Sequence, residues 1–224
     1  MVPSHNFKPS TSNRVLGMFA KWPEAGKAKT RLAAQIGATN ALMIAHAILG
    51  DSLTRFANPN TESILCFTPA NQKEAFQTIS NNQWQLREQS QGDLGQRLSH
   101  YFQGYRGKLA LAIGSDSPSL PTNFIEAAYQ ELEKHDLVVG PSSDGGFYLL
   151  GLKDYPKHLL DNIEWSTEKV LGQLLQNAKL LKLSTNILPE WHDIDTQEDL
   201  DKLKPYKDLS HCQAALQQLA NYDS

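Results

Sequence analysis

Four cations fall within eleven residues of the stretch KWPEAGKAKTRLA: Lys21, Lys27, Lys29 and Arg31. Pro23 and Gly26 shape a loop there, and such a loop suits phosphate. Glycine lets backbone N–H groups approach an anion, while Lys and Arg supply point and forked donors. The spacing is neither GxxxxGK[ST] nor GxGxxG, so this is not a Walker or dinucleotide-binding sequence. A solvated basic turn has the same composition; what favours phosphate is the loop's position directly after the first apolar run, RVLGMFA.

Carboxylates supply the complementary chemistry. In LAIGSDSPSLP an apolar run ends on Asp116, and Pro118 and Pro121 forbid the strand to continue. Asp116 can cap the following helix, or it can bind a hard cation such as Mg²⁺ or Mn²⁺, which takes one or two carboxylates plus substrate phosphate oxygens. A single Asp would bind such an ion weakly, so a second is expected. WHDIDTQEDL offers Asp193 and Asp195, which flank Ile194 and project from the same side of an extended segment. Glu198 and Asp199, in the first turn after Thr196, read as helix-capping residues. His192, beside Asp193, is a candidate third ligand, whereas His46, His100 and His211 lack ligand spacing and read as packing or surface residues. GPSSDGGFYLLGL places Asp144 before Gly145 and Gly146, a hairpin signal at a strand end from which a carboxylate can reach a substrate hydroxyl. QGDLGQRL reads by itself as a capped turn, with Asp93 as N-cap and Gly92 as turn former.

These segments matter because of what must hold them. From Val15 onward short β-rich runs alternate with longer helical ones, the pattern of an α/β sheet with helices on both faces. Ligands of such sheets bind beyond the carboxyl ends of the strands, where the basic loop and Asp116 fall. The expected strands are RVLGMFA, TESILCFTP, WQLREQ, KLALAIGSD, DLVVGPS, GGFYLLGL and KLLKLS. The expected helices lie in NALMIAHAILGDSLTRFA, NQKEAFQTIS, GQRLSHYFQGY, PTNFIEAAYQELEKH, STEKVLGQLLQNA, TQEDLDKL and LSHCQAALQQLA. Only a tight Asp-Gly-Gly turn separates DLVVGPS from GGFYLLGL, too short for a helical crossover, so these strands are antiparallel and the sheet is mixed.

Composition narrows the partners. The 224 residues carry a net charge of −3 with dispersed Lys and Arg, which excludes a basic footprint for nucleic acid. No apolar run is long enough to span a bilayer, and MVPSHNFKPSTSNR has no signal-peptide h-region, so a cytoplasmic protein is expected. Two cysteines, Cys66 and Cys212, cannot build a disulfide framework or a thiolate metal site. Residues 1–13 read as a loose tail and 14–224 as a single domain. Nothing in the sequence fixes the oligomeric state.

The ordered set MFAKWPEAGKAKTRLA, QGDLGQRL, GSDSPSLP, GPSSDGGFYLLGL, WST and DIDTQEDL resembles a bacterial family of GT-A-type transferases, the radical-SAM/selenodomain-associated glycosyltransferases, some linked to arsenosugar biosynthesis. The resemblance spans about residues 14–203. More distantly the chain is similar to 2-phospholactate guanylyltransferases and molybdenum-cofactor nucleotidylyltransferases, all of the nucleotide-diphospho-sugar transferase superfamily. The resemblance implies a three-layer α/β/α GT-A-like fold with a mixed, mostly parallel sheet, a nucleotide-activated donor against the first loop, and a divalent metal, Mg²⁺ or Mn²⁺, bridging its phosphates. Position by position it assigns Lys21, Gly26, Lys27, Lys29, Thr30 and Arg31 to the phosphate loop, with Lys27 and Arg31 as catalytic candidates, either of which would steady the transferred phosphate in nucleotidylyl transfer. Asp116 and Asp195 become metal ligands. Gly92, Asp93 and Gly95 line the nucleotide or acceptor side, taken first as nucleotide-binding, while Asp144, Gly145, Gly146, Trp165, Ser166 and Thr167 face the acceptor, with Asp144 as general base. The loop departs from the Asp-x-Asp of many metal-dependent relatives, since Ser117 and Pro118 follow Asp116. The implied activity is metal-assisted glycosyl transfer from a nucleotide sugar to a small-molecule acceptor. Nucleotidylyl transfer from an NTP to a phosphorylated small molecule, and non-catalytic nucleotide binding, are the alternatives.

Overall fold

The computed structural model of the protein describes residues 12–222. Most of the expected N-terminal tail therefore lies outside the described residues. The chain is already tied down at its last two positions: Ser12 Oγ donates to Asn60 O, and Asn13 O accepts from Leu109 N–H.

Seven strands form one sheet: β1 (Arg14–Lys21), β2 (Glu62–Thr68), β3 (Gln85–Glu88), β4 (Leu109–Gly114), β5 (Leu137–Pro141), β6 (Phe147–Leu152) and β7 (Thr185–Ile187). Their order is β3-β2-β1-β4-β6-β5-β7. Neighbours run parallel except β6, which is antiparallel to both β4 and β5. The Asp-Gly-Gly turn thus makes the hairpin that its length requires, and it inserts β6 between two strands of the other sense.

Helices α2 (Ala38–Phe56), α3 (Lys73–Ile79) and α5 (Thr122–Leu132) cover one face; α4 (Leu94–Gln103) and α6 (Val170–Leu180) cover the other. The strands are buried on both sides, so alternate residues feed different cores. Leu16 and Met18 of β1 join Leu53, Phe76 and Leu132, while Val15 joins Leu98, Phe102 and Leu174. The fold is the three-layer α/β/α arrangement expected. A third core lies off the sheet, where α1 (Thr30–Ile36), α2, α7 (Gln197–Asp201) and α8 (Ser210–Tyr222) bury Leu32, Ile44, Ile194, Leu200 and Cys212. Asp51 of α2 fastens this cluster: its carboxylate, 3% exposed, accepts the backbone N–H groups of His211 and Cys212 in the first turn of α8.

One expected strand is displaced. KLLKLS does not pair: Lys179 and Leu180 end α6, Lys182 turns the chain with φ 57°, and pairing starts only at Thr185. Leu181 and Leu183 still pack on the core, which explains why the run resembles a strand.

The topology gathers the segments that carry chemistry. The carboxyl ends of β1, β4, β5 and β7 share one edge of the sheet with the amino end of the antiparallel β6. The basic loop, Asp116, the Asp144 turn and the segment 188–196 therefore converge there.

Candidate active site

β1 delivers Lys21 to the edge, and the chain then folds tightly, with Glu24 O accepting from the N–H groups of Lys27 and Ala28. Lys29 stands immediately before α1 in a left-handed conformation, φ 47° and ψ 53°, a backbone state disfavoured for a side chain of this kind. Its ammonium bridges two carboxylates, 2.9 Å from Asp116 Oδ1 and 3.0 Å from Asp195 Oδ1. The Lys29 side chain is only 7% exposed. Burial by itself lowers its pKa, but the two carboxylates outweigh that and raise it, so the ammonium stays charged. Lys27 is paired with Glu24 at 2.7 Å. Lys21 and Arg31 differ, since neither makes a salt bridge among the described residues.

A cavity of about 310 Å³ opens between these groups, lined by Lys21, Lys27, Lys29, Thr30, Arg31, Asp116 and Asp195 among others. Asp116 lies two residues beyond β4, and its carbonyl accepts from Ile194 N–H at 3.2 Å, stitching the strand end to the Asp193–Asp195 segment. The carboxylates of Asp116 and Asp195 are 56% and 43% exposed, and Lys29 engages one oxygen of each. That donor set fits a Mg²⁺ or Mn²⁺ ion that arrives with substrate phosphates, because such an ion needs only one or two protein carboxylates. Among the described residues no group of three or more His, Cys, Asp or Glu is arranged to hold a metal.

Asp193 has a different role from Asp195. It accepts a hydrogen bond from Ser117 Oγ, the middle residue of a would-be Asp-x-Asp whose second carboxylate place is taken by Pro118. Burial, reinforced by the charge of Asp116, pushes the Asp193 carboxyl up to about 6. Asp199 is structural, as the sequence indicates: it forms a capping box with Thr196 and also accepts from Asp195 N–H at 3.0 Å. His192 stands apart from the Asp116–Asp195 pair. Its ring stacks on Trp191 at 4.9 Å, burial lowers its pKa, and it lines neither cavity of the site.

A second cavity, about 460 Å³, adjoins the first and shares Arg31 and Asp195 with it. Asp144, Gly146, Trp165, Ser166 and Thr167 line it, as do Asp193, a sequence candidate for the metal side, and Leu94 and Glu168, which the sequence did not indicate. Asp144 Oδ1 accepts from Gly146 N–H at 3.0 Å, which fixes the turn. Two glycines from separate motifs cradle the wall formed by residues 165–168. A Cβ on Gly95 would stand 2.7 Å from Cζ2 of the Trp165 indole, and one on Gly145, whose φ is +87°, would stand 2.4 Å from Glu168 O. Both positions require glycine for close approach. Gly95 therefore supports the site from beneath. Gly92 and Asp93 line neither cavity: Asp93 forms a capping box with Gln96 at the start of α4. Gly26, with φ +72°, serves the turn alone.

Residues 52–167 match a family described as "Uncharacterized protein conserved in bacteria (DUF2064)". The chain belongs to the DUF2064 family. That span runs from α2 to the Trp165 wall, so this DUF2064 protein carries Asp116, Asp144 and the Gly95–Trp165 contact within the matched region and the basic loop ahead of it. No curated protein matches it. Among solved structures it is similar to a "putative nucleotide-diphospho-sugar transferase" from Desulfovibrio desulfuricans, 28% identical with a TM-score of 0.83, over 94% of this chain and 98% of that one. A 4-diphosphocytidyl-2C-methyl-D-erythritol synthase from Anaerococcus prevotii matches at 13% identity and TM-score 0.54, over 88% of this chain and 100% of the other. A cytidylyltransferase from Leptospira borgpetersenii matches at 16% identity and TM-score 0.53, over 86% and 85%. At those identities the last two share the fold with the DUF2064 chain and nothing finer. Among the described residues no helix is long and apolar enough to cross a membrane.

Proposed function

We propose that the protein is a glycosyltransferase that takes a nucleotide-sugar donor and passes the sugar to a hydroxyl of a small-molecule acceptor. The observation that carries this reading is the meeting, in one cavity, of Lys21 and Arg31, which make no salt bridge among the described residues, with the half-exposed carboxylates Asp116 and Asp195. The likeness to the Desulfovibrio desulfuricans protein, over nearly the whole of both chains, supports the same assignment. So does the resemblance of its motif set to that of radical-SAM/selenodomain-associated glycosyltransferases.

Arg31, at the seam of both cavities, binds the diphosphate where it adjoins the sugar, and Lys21 binds it deeper in the loop. Lys29 holds Asp116 and Asp195 in place. With Mg²⁺ or Mn²⁺ bound at those two carboxylates, the ion would neutralise charge developing on the leaving phosphate. Asp144 orients the acceptor hydroxyl and takes its proton as the new C–O bond forms and the anomeric carbon–phosphate bond breaks. Lys27, held by Glu24 at the mouth of the loop, is a secondary contact.

The test is turnover by purified protein with Mg²⁺ or Mn²⁺ across a panel of nucleotide sugars and NTPs. Release of a nucleoside diphosphate, abolished in Asp116→Ala, is expected. Pyrophosphate release from an NTP would indicate nucleotidylyl transfer instead. Nucleotide binding with no turnover of any donor would leave a non-catalytic binding protein.

A further inference from the structure

The two adjoining cavities differ in sign. The first sets four cations, Lys21, Lys27, Lys29 and Arg31, against three carboxylates, Glu24, Asp116 and Asp195. The second sets Arg31 alone against four, Asp144, Glu168, Asp193 and Asp195. We infer that the acceptor is a hydroxyl-rich small molecule bearing no phosphate or carboxylate, which lies against Trp165 and reaches Arg31 and Asp195 only at its reacting end. This rests on the transferase reading and concerns the second cavity alone.

The argument is electrostatic and steric together. A cleft lined by one sign of charge raises the local concentration of the opposite sign and excludes its own. Among the described residues Asp144 and Glu168 have no cation within salt-bridge distance, so their field is not cancelled locally, and an anionic acceptor would sit against it. Neutral hydroxyls instead find acceptors for their protons, and an ammonium finds partners. The Trp165 indole, edge-on to Phe147 at 6.3 Å, supplies an apolar surface of the kind that buries the face of a small ligand, and about 460 Å³ is a volume proper to small-molecule sites. Gly95 sets where that surface stands. This also separates the two enzymatic readings: nucleotidylyl transfer to a phosphorylated substrate would bring a phosphate into the acidic cavity.

The experiment uses the full chain and two separate readouts. Protection against thermal unfolding by nucleotides and nucleotide sugars first identifies the donor; failure there sinks the transferase reading itself. With the protective donor, transfer is then measured to matched sets of acceptors on hexose, pentose and inositol rings, each as the neutral compound, the amine and the phosphate monoester. The neutral and amine forms should exceed the phosphate by about tenfold or more in kcat/KM. Glu168→Gln should narrow that ratio severalfold, and Gly95→Ala should raise the acceptor KM severalfold while leaving donor protection unchanged. A phosphate monoester that equals or exceeds its neutral counterpart overturns the inference. So does a bound donor with no transfer to any neutral or amine-bearing acceptor.

Discussion

Replacing Lys29 by Met tests the bridge on which the site is built. The substitution keeps the aliphatic stem and, at φ 47°, carries the same backbone cost as lysine, so the ammonium alone is removed. Two carboxylates 2.9 and 3.0 Å from Nζ then face each other and Asp193 with no intervening charge. Stripping one partner from a fully buried pair costs about 3–5 kcal/mol. Here the ammonium is buried but both carboxylates are about half exposed, and water screens what remains, so the expected loss is about 1–3 kcal/mol. For a chain of this length each kcal/mol lowers Tm by roughly 2–4 °C, which puts a mid-range loss near 4–8 °C in calorimetry. The decisive comparison is the same substitution in an Asp116→Asn, Asp195→Asn background. There the lysine is a buried cation that has lost both salt-bridge partners and keeps only the more distant charge of Asp193, and Lys29→Met should be close to neutral or stabilising. Equal losses in both backgrounds, additive within about 0.5 kcal/mol, would refute the bridge.

Gly95→Ala sets two effects against each other: alanine favours the helix by about 1 kcal/mol, while its methyl overlaps the Trp165 ring. Because that ring lies on a loop and can yield, Tm should change little as acceptor KM rises; calorimetry and initial rates read the two separately. Asp51→Ala leaves two N–H groups at the start of α8 unpaired and should cost about 1–3 kcal/mol by urea unfolding, with Asp51→Asn milder. Asp199 gives a pH dependence. Burial would raise its carboxyl, but hydrogen bonds from Lys202, Thr196 and the N–H groups of residues 195 and 196 outweigh it and hold it below the ordinary range. Its stabilisation is therefore present above about pH 4 and lost as pH falls through the depressed value. Asp199→Asn should thus cost about 1 kcal/mol at pH 7 and progressively less below pH 4, read from urea midpoints across pH.

The sheet was legible because buried parallel strands read as short apolar runs and the helices as 3.6-residue periodicities between them. The hairpin at Asp144 followed from the length of its turn. The insertion of β6 between β4 and β5 did not, since strand order depends on packing across the whole sheet. KLLKLS misled because its leucines are buried from a helix end and a turn. In the site, residue types announced the basic loop and the acids, but pairing is long-range. Lys29 reads as one phosphate donor among four, yet it spends its charge on Asp116 and Asp195. Asp193 was a sequence equal of Asp195 until Ser117 distinguished them. QGDLGQRL offered a cap, which Asp93 is, while Gly95 owes its place to an indole seventy residues away.

The central claim is that the loop from Lys21 to Arg31 and the Asp116–Asp195 pair form a diphosphate site. Nucleoside diphosphates with Mn²⁺ test it most directly, by calorimetric unfolding of wild type and Arg31→Ala. At a hundredfold excess over Kd a bound nucleotide adds about 2.7 kcal/mol, roughly 5–10 °C in Tm. The wild type should show that shift with at least one base, and Arg31→Ala should lose most of it. No shift with any nucleotide, or an equal shift in Arg31→Ala, would contradict the account.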